Sequence, residues 1–289
     1  MNAGDREPAI EAVLADAKSA VTGRLRTDAG QAGHASIYRM PAVSESSAEP
    51  ADRAVANDYD RFAEAYTAET EANLINGYYA RPAILDLAGD VAGRRILDVG
   101  CGSAPLSAAL RDRGAVVTGL DSSAGMLKLA RRRLGPAADL RLADLGSPLP
   151  FDDGTFDDVV AALVLHYLQH WSAPLVELRR VLKPGGRLIV AADHPFAVNI
   201  MHREAGRKPD YFATYNHTAQ WDMGGRTALM SFWHRPLHSM TDAFTAAGFR
   251  IAVISEPPPA PGARELFPEI LADIPSAFLS FLFFVLQAD

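Results

Sequence analysis

The sequence predicts an α/β domain built on a seven-stranded, mostly parallel sheet with helices on both faces and an antiparallel last strand. Three observations carry this expectation. From about residue 95 onward, short β-branched runs alternate with stretches of helical spacing, the pattern of βαβ units and parallel pairing. The first such run passes into Gly100-Cys101-Gly102 and then straight into a helix, a turn by which a parallel sheet brings its backbone close to a ligand. A helix, a strand, a long loop and a last strand near the end of the sequence then close the sheet.

The elements follow in order. Ile10, Val13, Leu14, Ala17, Val21 and Leu25 recur at helical spacing and predict one amphipathic helix. The stretch Thr27 to Asp52 is rich in Ala, Ser, Gly and Pro and reads as an arm or linker. Residues 1–52 are thus expected as an N-terminal helical arm and 53–289 as the main domain. Two helices are expected between Asn57 and Asp86, with Pro82 near the start of the second. Strands are expected at Arg95–Val99, Ala115–Leu120, Asp139–Leu142, Phe156–Ala161, Gly186–Ala192, Phe249–Ser255 and Ala277–Leu286. The intervening helices are Ser103–Arg113, Ser123–Leu134, Pro174–Leu182 and Met240–Ala247, the last followed by Gly248 at a helix C-cap. Residues 194–236 break the rhythm with many aromatic and histidine residues and no clear period. They are expected to form a lid over the crevice at the carboxyl ends of the strands.

Charge and composition narrow the function. The chain of 289 residues has a formal net charge of -7, which disfavours a nucleic-acid binder that neutralises phosphates; Arg131, Arg132 and Arg133 read as a solvated helix face. A single cysteine, Cys101, permits no internal disulfide and fits a reducing, cytoplasmic setting. No basic, apolar leader opens the sequence. The apolar run Ala277–Leu286 is too short to span a bilayer as a helix, so no membrane association is expected.

The chemistry is concentrated after the first strand, in Ile96-Leu97-Asp98-Val99-Gly100-Cys101-Gly102-Ser103-Ala104. Pro105 stands where a dinucleotide fingerprint has its third glycine. Asp98 would repel a diphosphate but suits an ammonium. Asp121 closes the second strand 23 positions later (121 − 98), near the spacing at which an acidic residue meets ribose hydroxyls; capping the next helix is the alternative role there, and Ser122 or Ser123 can serve as that cap.

Together with Ala143-Asp144-Leu145, Phe156-Asp157-Asp158-Val159-Val160 and Leu182-Lys183-Pro184-Gly185-Gly186, these segments resemble the ordered motifs of class I S-adenosylmethionine-dependent methyltransferases, across about Tyr59 to Leu286. The resemblance implies a Rossmann-like fold and S-adenosylmethionine as cofactor, with S-adenosylhomocysteine as product. By position it implies Gly100 and Gly102 along the methionine part, with Asp98 near its amino group. Asp121 would hold the ribose, Ser122 and Met126 would flank the adenine, and Asp144 would accept from the adenine amino group beside Ala143 and Leu145. Ala162 would offer a carbonyl near the methionine, and Tyr59 and Tyr66 would close over the cofactor.

A base is needed only where the nucleophile must lose a proton. His166, past the fourth strand, and His194, past the fifth, fall on the expected active-site edge, in patterns that resemble a branch of the family found in bacterial secondary-metabolite pathways. Tyr211, Trp221 and Trp233 of the insertion are the candidate contacts to a small aromatic or heteroaromatic acceptor, indole- or phenol-like. Asp157 and Asp158 are adjacent on a strand and point to opposite faces, so no metal site is expected. A packed or exchanged N-terminal helix would make a homodimer or higher oligomer. The competing readings are a nicotinamide-dependent oxidoreductase, a methyltransferase acting on a macromolecule, and a non-catalytic module.

Overall fold

The computed structural model describes residues 56–223, 227–271 and 280–289, so the expected N-terminal helix and arm lie outside the described residues. A 3-10 turn at Tyr59–Arg61 leads into α1 (Ala63–Thr70). A π-helical turn at Asn76–Ala80 continues into α2 (Arg81–Ala88), which carries Pro82 in its first turn, where the missing amide hydrogen costs no helix bond. Next come β1 (Arg95–Val99), α3 (Pro105–Asp112), β2 (Val116–Asp121), α4 (Ala124–Leu134), β3 (Asp139–Leu142), β4 (Phe156–Ala162), α5 (Ser172–Val181) and β5 (Leu182–Asp193). They are followed by α6 (Pro195–Glu204), β6 (Tyr215–Asp222), β7 (Thr227–His234), α7 (Leu237–Ala246), β8 (Phe249–Ser255), the short turns α8 (Ala263–Leu266) and α9 (Pro268–Leu271), and β9 (Phe281–Ala288).

Seven strands form one sheet in the order β3-β2-β1-β4-β5-β9-β8. β9 runs antiparallel between β5 and β8, and the pairings from β3 across to β5 are parallel. The chain starts at β1, winds outward to β3, and then crosses back to β4 beside β1. That reversal leaves a crevice at the carboxyl ends of β1 and β4, where open α/β sheets hold their ligands.

The sheet is covered on both faces, which is why its strands read as near-continuous apolar runs. Ile96 and Val160 belong to the core beneath α2 and α3, while Leu97 and Val159 belong to the core with α5 and α7. Asp157 and Asp158 do part company as their adjacency requires. Asp157 takes Lys183 Nζ at 2.6 Å and the Arg95 N–H at 2.8 Å. Asp158 is fully buried and held from two sides, by Arg94 Nε at 2.5 Å and Nη2 at 2.8 Å and by Arg187 Nε at 2.8 Å and Nη2 at 2.9 Å.

Three expectations are corrected. β5 begins at Leu182 rather than Gly186, because the Lys183-Pro184-Gly185-Gly186 stretch is taken into the strand with a register shift against β4. β9 runs from Phe281 to Ala288, and residues 277–279 of the expected strand lie outside the described residues. The segment after β5 is not aperiodic: it is a helix followed by a two-stranded antiparallel hairpin. Along β7, Ala228, Met230, Phe232 and His234 are buried in strict alternation. The period was masked because polar histidines occupy inward positions on both strands. Gly248 follows the end of α7 in the left-handed region, φ +83°, as a glycine just past a helix end should.

The basic run of α4 is taken up internally. Arg131 donates to the Pro136 and Ala138 carbonyls, Arg132 pairs with Glu64, and Arg133 pairs with Glu71 and the Ser103 carbonyl. Among the described residues, no helix is long and apolar enough to cross a membrane.

The two-sided clamp on Asp158 joins β1, β4 and β5. Asp158→Ala leaves two guanidinium groups unpaired against the sheet and should cost about 3 kcal/mol of stability, the low end for a broken buried pair because both arginines keep some solvent. Urea unfolding of the variant measures it; a loss under about 1 kcal/mol would contradict the assignment.

Candidate functional site

The crevice at the sheet's switch point is a cleft of about 400 Å3, within the roughly 300–1,000 Å3 range of small-molecule sites. Its floor is the turn after β1. Gly100 and Cys101 donate their N–H groups to the Leu120 carbonyl at 2.7 and 3.0 Å, which folds the turn against β2. Gly100 has φ +69°, and a Cβ there would stand 2.6 Å from Val164 Cγ2. Glycine is required twice over, for backbone sign and for space. Ala104, also left-handed at φ 64°, swings the chain into α3, and Pro105 opens that helix. A proline there removes one amide donor from the helix N-terminus, which makes it a poorer cradle for phosphate.

Three carboxylates face this cleft. Asp98 is 1 % exposed and accepts from Ser107 Oγ at 2.5 Å. Burial pushes its carboxyl up to about 7, with the Asp121 charge adding to the shift and the Ser107 bond opposing it. Asp121 is held at both oxygens, Oδ2 by the Gly102 N–H and Oδ1 by the Ser123 N–H, each at 2.8 Å, and burial raises its pKa also. Ser123 rather than Ser122 caps α4, accepting from the Met126 N–H at 3.0 Å. Asp144 turns Oδ1 onto the Gly146 N–H at 2.6 Å. Arg81, half-buried at the start of α2, lines the same cleft; burial lowers its pKa, and only part of its hydrogen-bonding capacity is used, on the Glu71 carbonyl at 3.3 Å.

Aromatic residues cap the cleft. The Tyr59 and Tyr167 hydroxyls meet at 2.5 Å, and the Tyr66 ring stands edge-on to Tyr59 with centroids 5.0 Å apart. Burial raises the pKa of all three phenols. Among the described residues, Asn57, Ala104 and Leu163 are the non-glycine positions with positive φ; Asn57 and Leu163 line this cleft, and Ala104 stands between two residues that do, Ser103 and Pro105. Strained backbone of this kind gathers where a site is held in shape.

The structure brings together every residue expected around a cofactor: Tyr59, Tyr66, Asp98, Gly100, Gly102, Asp121, Ser122, Met126, Ala143, Asp144, Leu145 and Ala162 all line the one cleft. Arg81, Tyr167, Asn57 and Leu163 line it as well and were not anticipated. Nothing in the sequence marks Arg81 or Leu163; Tyr167 adjoins the flagged His166.

The expected bases and acceptor contacts fare differently. His194 is the N-cap of α6: its Nδ1 accepts from the Phe196 N–H at 3.2 Å and its Nε2 lies 2.7 Å from Glu256 Oε1. Both ring nitrogens are engaged, and the residue does not line the cleft. His166 is buried, 3.1 Å from Asp193 Oδ1 through Nδ1, with its ring edge-on to Tyr167 at 4.5 Å. Trp221 joins the aromatic cluster of Tyr59, Phe62, Tyr66 and Phe232 beside the cleft. Tyr211 packs on Phe212 and His234, and Trp233 borders a separate small void with Trp171 and Arg235. Neither lines the cleft: Trp233 alternates with the buried residues of β7, and Tyr211 lies in the turn before β6. Among the described residues no group of three or more His, Cys, Asp or Glu could hold a metal ion.

Comparison with known proteins agrees with this geometry. The sequence model of a family described as "Methyltransferase domain" matches residues 97–190. A demethylmenaquinone methyltransferase from Renibacterium salmoninarum is 40% identical over 116 residues, which is 40% of this chain and 48% of that protein. The chain thus spans about half the length of the curated relatives it matches. Among solved structures, a Listeria monocytogenes protein titled as an S-adenosylmethionine-dependent methyltransferase aligns with TM-score 0.60 at 20% identity, over 73% of this chain and 96% of its own. The [4+2]-cyclase SpnF aligns with TM-score 0.53 at 21% identity, over 79% of this chain and 93% of its own. At such identities the likeness shows the fold. Residues 97–190 thus match the methyltransferase-domain family, and the surrounding fold is that of class I methyltransferases.

Proposed function

We propose that this protein transfers a methyl group from S-adenosylmethionine to a small aromatic acceptor. The observation that carries the reading is the set of charges lining the cleft: a buried carboxylate beside the glycine turn, a guanidinium from the start of α2, and a second carboxylate at the end of β2. A zwitterionic amino-acid tail fits the first pair, its ammonium on Asp98 and its carboxylate on Arg81. A ribose fits Asp121, whose two oxygens are fixed by backbone N–H groups and keep lone pairs for hydroxyl donors. An adenine amino group fits Asp144, between Ala143 and Leu145. A diphosphate would find Asp98 repulsive and Pro105 in place of a donor, which speaks against a nicotinamide cofactor.

When bound, S-adenosylmethionine supplies an electrophilic methyl group on a good leaving group, so the protein's own task is to position and desolvate. Tyr59, Tyr66 and Tyr167 close the cleft with aromatic faces and hydroxyls, a setting that favours a cationic centre. The α6 and hairpin insertion (residues 194–236) acts as a lid, tied to the cleft through Asn57, whose side chain and backbone bond Ser231 and Leu229. His166, beside Asp193, lies behind Tyr167 and does not line the cleft, so it remains the better placed of the two histidines only through that wall; His194 serves as a helix cap. The names of the curated relatives add a quinone-type ring to indole- and phenol-like acceptors as candidates. The buried lone cysteine is compatible with a reducing, cytoplasmic setting.

Calorimetry with S-adenosylhomocysteine tests the binding half. Asp98→Asn and Arg81→Met should each weaken binding by roughly 10- to 150-fold, the loss of a charged hydrogen bond worth about 1.5–3 kcal/mol. Unchanged affinity in Asp98→Asn, or a thermal response to NADPH in place of S-adenosylhomocysteine, sinks the reading. Transfer of labelled methyl to RNA or protein and to no small ring would move it to a macromolecular acceptor.

The raised Asp98 carboxyl gives a pH dependence with a defined sign. A protonated Asp98 cannot hold an ammonium, so affinity should fall as pH drops through about 7, approaching about tenfold per unit on the acid side. Without ligand the same group, lifted from 3.8 to about 7, favours the folded state at low pH and loses that contribution as pH rises through 7. Thermal shifts by S-adenosylhomocysteine should therefore grow from pH 6 to pH 8 in the native protein and stay flat in Asp98→Asn.

His166→Ala should lower turnover and spare S-adenosylhomocysteine binding, whereas His194→Ala should lower melting temperature with little effect on turnover per folded molecule. The reverse pattern would return the base role to His194.

A further inference from the structure

Residues 57–60, just ahead of α1, run past the cleft, which Asn57 and Tyr59 line, and they are tied down on three sides. Asn57 joins the hairpin. Its N–H donates to the Leu229 carbonyl at 2.9 Å, its Nδ2 donates to the Ser231 carbonyl at 3.0 Å, and its Oδ1 accepts the Ser231 N–H at 2.8 Å. Tyr59 joins the turn after β4 through the Tyr167 hydroxyl at 2.5 Å. Asp60 joins the start of α4, where its Oδ1 accepts from Ser123 Oγ and from the Gly125 N–H, both at 2.6 Å. The segment is thus a strap from β7 to α4, and Asn57 holds a left-handed φ of 61° within it, a backbone state that asparagine tolerates better than most residues.

Ser123 is where the strap meets the cofactor half of the cleft. Its N–H donates to Asp121 Oδ1 at 2.8 Å and its Oγ donates to Asp60, while the same Oγ accepts the Met126 N–H at 3.0 Å. Two carboxylates therefore share one serine. The bonds from Ser123 and Gly125 hold the Asp60 carboxyl below its usual range, so Asp60 is charged at neutral pH. That charge disfavours a second one on Asp121 and adds to the rise that burial causes there. Ribose hydroxyls donating to Asp121 would spread its charge and ease the repulsion. An occupied ribose site and a fastened Asp60 then favour each other, and such a coupling is reciprocal.

Asp60 is also the end of the strap best able to let go. It is exposed, whereas the bonds of Asn57 to Ser231 and of Tyr59 to Tyr167 are partly buried. Behind it, between α1 and α4, lies a second groove of about 440 Å3 with Phe62, Glu64, Lys128 and Leu129 along its walls. The bonds that join α1 and its end to α4 are polar, Arg132 to Glu64 at 2.8 Å and Arg133 to Glu71 at 3.0 Å, and exposed pairs of this kind hold weakly. Space to move and weak ties on one side suit a segment that opens and closes.

We propose that Asp60 is a positioning residue that couples ribose capture at Asp121, through Ser123, to closure of the 57–60 strap, and that Asn57 carries this closure to β7, a strand none of whose residues line the cleft. The proposal rests on the methyltransferase reading, which places a ribose at Asp121. Release of Asp60 then governs how fast S-adenosylhomocysteine enters and leaves, a gating role of the kind loops often play.

Hydrogen exchange on the full chain, read by mass spectrometry for a peptide spanning residues 227–234, follows the Ser231 amide that Asn57 holds. Saturating S-adenosylhomocysteine should slow exchange there roughly tenfold in the native protein, a typical size for coupling between two sites, although the ligand touches no part of β7. In Asp60→Ala this slowing should vanish while the ligand still binds. Stopped-flow intrinsic fluorescence gives a second reading. Asp60→Ala should raise both the association and the dissociation rate of S-adenosylhomocysteine by about tenfold, the low end for loss of a charged hydrogen bond, with Kd moving less than either rate. Asp60→Asn, which keeps an acceptor oxygen without the charge, should fall between. A purely structural role would lower melting temperature and leave the association rate and the ligand's effect on 227–234 as in the native protein. Retained protection in Asp60→Ala, or both rates within about twofold of native, would overturn the proposal. Should that variant not fold, the native protein carries the test alone, and absence of ligand-induced protection at 227–234 overturns it. If S-adenosylhomocysteine does not bind the native protein, the methyltransferase reading fails. The strap is then judged without ligand, where Asp60→Ala must speed exchange at 227–234 and unchanged exchange counts against it.

Discussion

Asp98 sets the terms for the site because a carboxylate buried at the end of a strand is unstable unless something compensates it. Here the nearest charge of consequence is a second carboxylate, Asp121, and the Ser107 hydroxyl supplies one hydrogen bond. The protein holds this acid close to its protonation point. A ligand that brings a cationic group to Asp98 and an anionic one to Arg81 relieves both desolvated side chains at once. The glycine turn beside Asp98 is fixed by packing, since a single added Cβ at Gly100 would strike Val164. Fold, turn and charge layout therefore answer to one electrostatic demand.

That demand explains why the cofactor half was legible in the sequence. Asp98, Gly100, Gly102, Asp121 and Asp144 lie within a turn or two of strand ends that apolar runs already mark, so local pattern places them and topology brings them together. Arg81 is the instructive omission. It opens a helix that packs across the sheet, and its place in the cleft comes from the tertiary approach of α2 to β1, which no local pattern encodes. Leu163 is similar: its backbone is left-handed, φ 56°, and its N–H bonds the Ala191 carbonyl on the neighbouring strand, a tertiary partner.

The regular structure of the insertion was hidden in the sequence for a different reason. Sequence periodicity works by assuming that buried means apolar. On β6 and β7 the inward positions include His217 and His234, so alternation was present but written in polar residues. The same assumption made His194 look catalytic, because a histidine past a strand end is a fair candidate until its two nitrogens are found occupied by a helix cap and Glu256. Distinguishing a ring that caps from a ring that waits for a proton takes a count of its hydrogen bonds.

The division between these halves bears on how the fold acquires its chemistry. A structural neighbour of this chain is titled a cyclase, so the scaffold alone does not dictate a reaction. The residues from β1 to the end of β4 supply most of the cleft lining, and the matched domain ends at residue 190. Asp193 is three positions beyond that limit, and His202, His217 and His234 follow in the insertion. His166 lies inside the matched segment yet faces Asp193 and the hairpin's Phe232. It is therefore the point at which a shared scaffold meets a segment free to specialise. Side chains on the insertion side of that seam can change while the cleft built by the matched domain stays as it is.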